Sequence, residues 1–317
     1  MLTVKPRSLR LDRRAAAAKP PAGIRPMWSP PSNTLITGER DAILVDTTIT
    51  YDQVDRLADW VGAVRQAVAG VVITHGHPDH RIGLARLQER FPHARGLATR
   101  DVLARARFGA TDEGMRAYWR GLFPGEIPDV PVQAELFDGD SIDLDGHQLR
   151  VIDIGQGDIE HSTIVHVPSL RAVAAGDVVC NQVHMLTALT DATAREAWIA
   201  SIGSITALDP DTVVAGHKRV GARTRATSSS RASGICVTSR VSPPTTTPPT
   251  RSSPRCWNCT ATGTTRTHCG PPHKPPYDAI RWSWAVLGTN WRCPGMRPRS
   301  RQRVARRRCQ GDGAPAG

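Results

Sequence analysis

The sequence has no apolar run long enough to span a membrane, which takes about 20 residues. Its N-terminal segment, residues 1–18, contains basic residues and a four-alanine run but lacks the apolar core of a secretory signal peptide. Cysteine is almost absent from the first 222 residues, where Cys180 stands alone. These absences argue against a membrane partner and favour a cytoplasmic location.

Acidic residues are scarce at the other end of the chain. Residues 223–317 hold 17 Lys+Arg and 2 Asp+Glu, whereas residues 1–222 hold 24 basic and 27 acidic side chains. The formal net charge of +12 therefore comes from the tail alone. A chain of 317 residues can bury a sizeable core, and we expect that core in the mildly acidic first part.

Composition and sequence pattern divide the chain into three parts. Residues 1–27 are rich in Arg, Pro and Ala and are predicted to be a poorly ordered lead-in. Residues 28–222 carry strand and helix patterns and are predicted to form the folded domain. Residues 223–317 form a basic tail rich in Pro, Ser, Thr and Arg, with the composition of a disordered segment.

Strands and helices alternate along the predicted domain. Short strands are predicted over residues 34–37, 42–45, 71–74, 149–154, 163–167, 172–175 and 212–215. Helices are predicted around residues 54–64, after residue 80 to about 90, twice within 101–123, and over 192–208. This order suits an α/β fold with two sheets flanked by helices, and by itself it equally suits a doubly wound parallel sheet.

The densest group of chemically active side chains lies in the seven residues from Thr74 to His80, Thr-His-Gly-His-Pro-Asp-His. The group follows a predicted buried strand and precedes a helix, so a turn can direct three imidazoles and one carboxylate at one point. Neutral imidazole is a preferred ligand of zinc, and a carboxylate can complete the set. The segment therefore predicts a metal site formed by His75, His77, Asp79 and His80.

This motif resembles the His-x-His-x-Asp-His signature of the metallo-β-lactamase-fold hydrolases, and the resemblance extends from about Trp28 to about Gly221. It implies an αββα four-layer sandwich with two metal ions, usually zinc, at the edge of its two sheets. It also implies further ligands at two later strand ends, Asp177 in Gly-Asp and His217 in Gly-His. Asp46 matches a carboxylate that in the family supports the ligands through hydrogen bonds.

The family places one more histidine between the strands predicted over residues 149–154 and 163–167. His161 is our first choice, because imidazole suits zinc better than a carboxylate does. Asp158 is the alternative, an oxygen ligand that would make the site harder and hold its metal less tightly. Gln156 is a poor zinc ligand and fits better as a hydrogen-bond donor beside the site. His184 lies past the site and is a candidate for lining the substrate cleft.

The resemblance implies a zinc-dependent hydrolase that acts on a small molecule. Two zinc ions that share a water lower its pKa, so that a nucleophile exists at neutral pH, and Asp79 would orient it as the catalytic residue. His77 stands where an iron-binding branch of the family has glutamate, which favours zinc. An ester, lactone, thioester or amide-type bond suits this chemistry. The sequence does not select among these bonds or set an oligomeric state.

The tail has a second explanation, in which the gene is read out of frame after about Arg223. If each original codon combines the last base of one residue with the first two bases of the next, some codons are forced. The overlap of Cys256 with Trp257 gives only Leu, that of Trp257 with Asn258 only Glu, and that of Asn258 with Cys259 only Leu. We hypothesise a frameshift on this basis. The overlap of Cys259 with Thr260 gives Tyr or His, and a nucleotide sequence over residues 256–260 that does not spell Leu-Glu-Leu-Tyr one frame back would refute it.

Two other interpretations follow from the tail. A frameshift would leave a damaged, inactive or unstable member of the same family, because the apolar face that the original C-terminal segment covered would be exposed, and folded domains have only about 5–15 kcal/mol of stability to lose. A nucleic-acid-binding protein would instead bind phosphates through the Arg-rich tail, with an affinity that falls steeply with salt. The tail lacks the ordered basic motifs of such proteins, so nucleic acid is the less favoured partner.

Overall fold

Two β-sheets pack face to face in the computed structural model of this chain, which describes residues 1–8, 29, 31–111, 113–128, 132–183 and 185–219. In chain order the strands are β1 (Thr3–Ser8), β2 (Ser32–Thr37), β3 (Asp41–Val45), β4 (Ala67–Val72), β5 (Arg95–Ala98), β6 (Glu135–Leu136), β7 (Ser141–Leu144), β8 (His147–Gly155), β9 (Ser162–Val167), β10 (Ala172–Ala174), β11 (Cys180–Asn181), β12 (Thr212–Val214) and β13 (His217–Lys218). The helices are α1 (Tyr51–Gly62), α2 (Pro78–Arg81), α3 (Leu84–Arg90), α4 (Arg100–Thr111), α5 (Glu113–Leu122) and α6 (Ala192–Ala207).

The first sheet has the strand order β1-β2-β3-β4-β5-β6, and the second has the order β12-β10-β9-β8-β7. In the first sheet β1, β2 and β3 pair antiparallel, and the strands from β3 to β6 run parallel. In the second sheet only the pair of β10 and β12 is parallel. A short parallel pair, β11 and β13, lies apart from both sheets. Loops that follow the parallel strands of the first sheet therefore leave it at one edge.

Alternating apolar residues give the first sheet one face toward the second sheet and one toward helices. On β3, Ile43 and Val45 belong to the cluster between the sheets, together with Val165 of β9. Their neighbour Leu44 belongs instead to a cluster with Leu57 of α1. Because successive side chains of a strand point to opposite faces, this alternation places helices outside the first sheet.

The second sheet is covered in the same way on its outer face. Ile164 of β9 and Val173 of β10 are fully buried against Trp198, Ile202 and Ile205 of α6. Their neighbours on the same strands point into the cluster between the sheets. The layers therefore run helix, sheet, sheet, helix, which confirms the predicted αββα architecture.

Part of the predicted lead-in is a strand rather than a poorly ordered segment. Residues Thr3–Ser8 form β1, which pairs antiparallel with β2 from one end to the other. Leu2 beside it is buried in the cluster between the sheets. The prediction is wrong for these residues, because an edge strand tolerates a proline such as Pro6 that lacks an amide donor.

The helix predicted after residue 80 to about 90 is α3, and a separate short helix, α2, precedes it. The two helices are separated at Gly83, where a Cβ would meet the Val54 side chain and the Thr48 carbonyl oxygen. In the described part of the chain, no helix combines the length and the apolar character that crossing a membrane requires. The predicted basic tail, residues 223–317, and His184 lie outside the described residues.

Candidate metal centre

Segments that follow four strands, β4, β8, β10 and β12, meet at one edge of the sandwich and bring seven polar side chains together. The turn after β4 supplies His75 and His77, and α2 supplies Asp79 and His80. The second half supplies one side chain each from the turns after β8 and β10 and from the start of β13, namely Asp158, Asp177 and His217. All seven residues are buried.

Glycine permits the close approach of these turns. A Cβ at Gly216 would collide with the Asp177 carboxylate and with the backbone of Gly176. Gly176 itself has a left-handed backbone with φ 50° and lies against Thr74. The Gly-Asp and Gly-His pairs noted in the sequence are therefore needed because the backbone beside each ligand has no room for a side chain.

The first subsite, which we define as His75, His77 and Asp158, has its ligand atoms close together. His77 Nδ1 lies 2.8 Å from Asp158 Oδ2, and His75 Nε2 lies 3.9 Å from Asp158 Oδ1. Asp177 Oδ2 lies 3.7 Å from His75 Nε2. Within the described residues, these four side chains form one group that could hold a metal ion.

The second subsite, which we define as Asp79, His80 and His217, lies on the other side of Asp177. His80 Nε2 and His217 Nε2 are 3.3 Å apart, and Asp79 Oδ2 lies 3.3 Å from His217 Nε2. Asp177 lies 3.2 Å from His80 Nε2 through Oδ1 and 3.3 Å from His217 Nε2 through Oδ2. Asp177 therefore faces both subsites, as a bridging ligand would.

These spacings suit ligands of a common ion. Ligand atoms about 2.1 Å from a tetrahedral zinc ion lie about 3.4 Å from one another. Several buried atoms of the cluster have no hydrogen-bond partner, including His75 Nε2, Asp158 Oδ1 and Asp177 Oδ1. Because a buried polar atom without a partner is costly, the residues present fit a cation at their centre.

Hydrogen bonds behind the cluster fix which imidazole nitrogen faces it. The Asp46 carboxylate accepts hydrogen bonds from His80 Nδ1 at 2.9 Å and from the Thr74 hydroxyl at 2.8 Å. Since the Thr74 hydroxyl gives its proton to Asp46, it accepts one from His75 Nδ1, 3.0 Å away. His217 Nδ1 donates to the Ser29 carbonyl oxygen at 3.0 Å. In all three histidines Nε2 is left to bind a proton or a metal ion at the centre.

Charge and burial shift the pKa values of the cluster in opposite directions. Burial, together with His80, lowers the pKa of His75 well below its usual value. Burial also lowers the pKa of His80, but Asp177 and Asp79 outweigh it and raise that pKa well above its usual value. For His217 the same two carboxylates outweigh burial and raise the pKa to about 10. The carboxylates thus favour positive charge at Nε2, which a divalent ion supplies without a proton.

The structure corrects the first choice for the remaining ligand. His161 has a left-handed backbone with φ 60°, its side chain is 47% exposed, and its Nδ1 lies 3.9 Å from Asp101 Oδ2, away from the cluster. Asp158, the alternative, is buried within the first subsite instead. Gln156 donates to the Gly157 carbonyl oxygen rather than to a ligand. We chose His161 because zinc prefers imidazole, but the geometry of the turn decides which side chain points inward.

The structure brings His75, His77, Asp79, His80, Asp177 and His217 together, and Asp46 lies behind them. Two supporting residues had no signal in the sequence. Asn33 donates to the Asp46 and Thr47 carbonyl oxygens, at 3.0 and 2.7 Å. Arg81 donates through Nε to the Gly76 carbonyl oxygen at 2.9 Å, between two of the ligand histidines. A lone Asn and a charged residue on a short helix give no periodicity that could have indicated these contacts.

The family model described as the metallo-beta-lactamase superfamily matches residues 27–217, more than half of the chain. Matching solved structures include a metallo-beta-lactamase from Pontibacter korlensis, with 19% identity over 60% of this chain and 80% of that chain and a TM-score of 0.45. FIM-1 from Pseudomonas aeruginosa, in a mono-zinc form, has 19% identity over 60% of this chain and 76% of its own, with a TM-score of 0.43. A metallo-beta-lactamase family protein from Thermus thermophilus has 17% identity over 71% of this chain and 75% of its own, with a TM-score of 0.47. A search of curated proteins gave no significant match.

Proposed function

Because this chain belongs to the metallo-beta-lactamase superfamily, we propose that it is a zinc-dependent hydrolase with a two-metal centre. Its substrate would be a small molecule with an ester, lactone, thioester or amide-type bond. The observation that carries the proposal is the buried cluster of four imidazoles and three carboxylates divided by Asp177 into two subsites. Without a metal ion, carboxylate oxygens of Asp158 and Asp177 lie buried with no hydrogen-bond partner, which is costly.

Zinc bound at such a site lowers the pKa of coordinated water to near neutrality and stabilises negative charge that develops on a carbonyl oxygen. The protein itself orients the side chains that would bind the metal ions. Asp46 keeps the His80 ring oriented, and Ser29 does the same for His217. His77 and His217 keep side-chain exposures of 7% and 10%, so they mark the side from which a substrate approaches.

Asp79 has the charge state that its proposed catalytic role requires. Burial would raise its pKa, but His80 and His217 hold that pKa at about 2. The carboxylate is therefore ionised at neutral pH and can accept a hydrogen bond at Oδ2 from the attacking nucleophile. This proton acceptor would orient the nucleophile toward a substrate carbonyl carbon.

The first test is metal analysis of the purified full-length chain. We expect up to two zinc ions per chain, and a loss of zinc in His77→Ala and in His80→Ala. His93→Ala is the matched control, because His93 is exposed and lies outside the cluster. A chain that binds no zinc at neutral pH would overturn the proposal.

The second test is hydrolysis of a panel of chromogenic esters, lactones, thioesters and β-lactams by the zinc-loaded chain. Any activity should fall by at least about 100-fold in Asp79→Asn and stay unchanged in His93→Ala. The alternatives set by the tail predict different results. A damaged member of the family would bind zinc on a chain that aggregates, and nucleic-acid binding would be lost on removing residues 224–317.

A further inference from the structure

Asp158 gives the two subsites the same kinds of ligand. The first has two imidazoles and the carboxylate of Asp158, and the second has two imidazoles and the carboxylate of Asp79, with Asp177 between them. A third imidazole, which the sequence led us to expect from His161, is not part of the first subsite. The centre therefore holds three carboxylates. If the first subsite had a third imidazole in place of Asp158, the centre would hold two.

The position of Asp158 is built into the fold. The turn that carries it is closed by a hydrogen bond from the Gly157 amide to the Ile159 carbonyl oxygen at 2.9 Å. Beyond the turn, the Thr163 amide and hydroxyl both donate to the Thr74 carbonyl oxygen, at 2.7 and 2.9 Å. Because Thr74 precedes His75 directly, these bonds fix the turn against the ligand histidines. Asp158 is only 1% exposed, so its carboxylate has no access to bulk water.

We propose that Asp158 takes the place of a third imidazole as a metal ligand, and that the first subsite consequently discriminates less between zinc and harder divalent ions such as Mn²⁺. This inference rests on the proposed two-metal function and concerns which ions that centre accepts.

The physical basis is the hardness and charge of the ligands. Imidazole favours zinc over manganese, whereas carboxylate oxygen suits Mn²⁺ as well as it suits other hard ions. Replacing an imidazole by a carboxylate also adds one negative charge, so two divalent ions would be neutralised to a net charge of +1 rather than +2. Both changes reduce the advantage that zinc has at a site rich in nitrogen.

The test compares the binding of Mn²⁺ alone and of Zn²⁺ alone by the full-length chain after treatment with a chelator. Free Mn²⁺ is followed by electron paramagnetic resonance, and zinc by competition with a chromogenic chelator. In Asp158→His the preference of one subsite for zinc over manganese should rise by about tenfold or more, since changes behind a ligand already alter affinity by 10–100-fold. Asp158→Glu, which keeps a carboxylate, should stay near the wild-type preference.

His161→Ala is the matched control, because it removes the other candidate ligand without touching the cluster. An unchanged preference in Asp158→His, or an equal change in His161→Ala, would overturn the inference. If Asp158→His does not fold, Asp158→Asn serves instead, and a capacity for two Mn²⁺ ions that Asp158→Asn leaves intact would overturn it. If the wild-type chain binds two zinc ions and substitution of Asp158 does not change the preference between zinc and manganese, only this inference is refuted. A wild-type chain that binds neither metal refutes the proposed function as well.

Discussion

Asp46 positions two side chains of the cluster although it is not one of its seven residues. Its Oδ1 accepts from the Thr74 amide at 2.8 Å, and its Oδ2 accepts from the Thr74 hydroxyl and from His80 Nδ1. The residue has a left-handed backbone with φ 62°, and Asn33 holds its carbonyl oxygen. One carboxylate thus positions His80 directly and His75 through the Thr74 hydroxyl.

Replacing Asp46 by Asn should weaken zinc binding about 10- to 100-fold. An amide offers one acceptor oxygen where the carboxylate uses two, and it places an N–H group against Thr74 or His80. Asparagine tolerates the left-handed backbone, so the fold should persist. Competition with a chromogenic chelator measures the affinity, and Asp55→Asn, which affects only a surface pair with Arg86, is the control. Equal zinc affinity in both variants would contradict the role given to Asp46.

Metal binding should release protons at neutral pH and tighten as the pH rises. Carboxylates raise the pKa of His77 and His80 against the effect of burial, and they raise that of His217 to about 10. With a pKa of about 10, His217 is protonated in the metal-free chain at pH 7, and zinc would displace its proton. Calorimetric titrations in buffers with different ionisation enthalpies count the protons released. An affinity for zinc that is constant between pH 6 and pH 9 would contradict this expectation.

At the residue scale, the sequence predicted the position of side chains that come directly after predicted strands. Asp177 and His217 each follow a glycine at a strand end, where the position of the side chain is set by a regular element. Asp158 and His161 lie in a longer turn, where the direction of each side chain depends on backbone dihedrals that no periodicity reveals. The left-handed conformation of His161 is such a case.

At the scale of elements, the turn between β2 and β3 is tied to the turn between β7 and β8. The Asp145 carboxylate accepts hydrogen bonds from the amides of Glu39 and Arg40, at 2.7 and 2.9 Å, and from Arg40 Nε at 3.0 Å. A Cβ at Gly38 would collide with this carboxylate. The contact joins the first sheet to the second at a point separate from the metal centre.

Asp145→Asn should lower stability at neutral pH but not in strong acid. Hydrogen bonds from the backbone amide of Arg40, its side chain and neighbouring amides lower the pKa of Asp145 to about 2. A carboxylate with a depressed pKa stabilises the fold above its unfolded pKa, and this contribution disappears as the pH falls from about 4 to about 2. Urea unfolding midpoints at pH 7 and pH 2 measure the difference between variant and wild type. Asp59→Asn on an exposed face is the control, and a difference that persists at pH 2 would refute the argument.

Elements rich in apolar residues were predicted well, and short or edge strands were not. β3, β9 and α6 occur close to their predicted bounds because each contains several apolar residues between polar or turn-forming segments. Strand β1 contains Pro6 and β6 has two residues, so neither carries a usable pattern. The break between α2 and α3 depends on Gly83 meeting α1, a contact between elements that the local sequence does not encode.

At the scale of the whole molecule, neither half of the sandwich holds a complete subsite. The first half supplies His75, His77, Asp79 and His80, and the second supplies Asp158, Asp177 and His217. Removing the metal would leave their carboxylates buried beside one another, and their repulsion acts across the seam between the halves. A metal ion bound here should therefore contribute to the stability of the domain.

Chelation of the metal should destabilise the full chain. A ligand present at 1,000 times its dissociation constant stabilises the folded state by about 4 kcal/mol for each site. Thermal unfolding in excess zinc and in excess chelator measures the effect. The double variant His77→Ala/His80→Ala removes a ligand from each subsite and should show the same unfolding temperature in both solutions. A wild-type chain that unfolds at one temperature in both would contradict the role of the centre in stability.

His80 and His217 meet across 137 positions of sequence, with their Nε2 atoms directed at the same point. An ion held by both closes the chain into a ring as a covalent cross-link would, and this ring encloses most of the described domain. The two halves then separate only when a coordination bond breaks. Unfolding of the domain would then require loss of at least one coordination bond, so bound zinc should slow the opening of the sandwich.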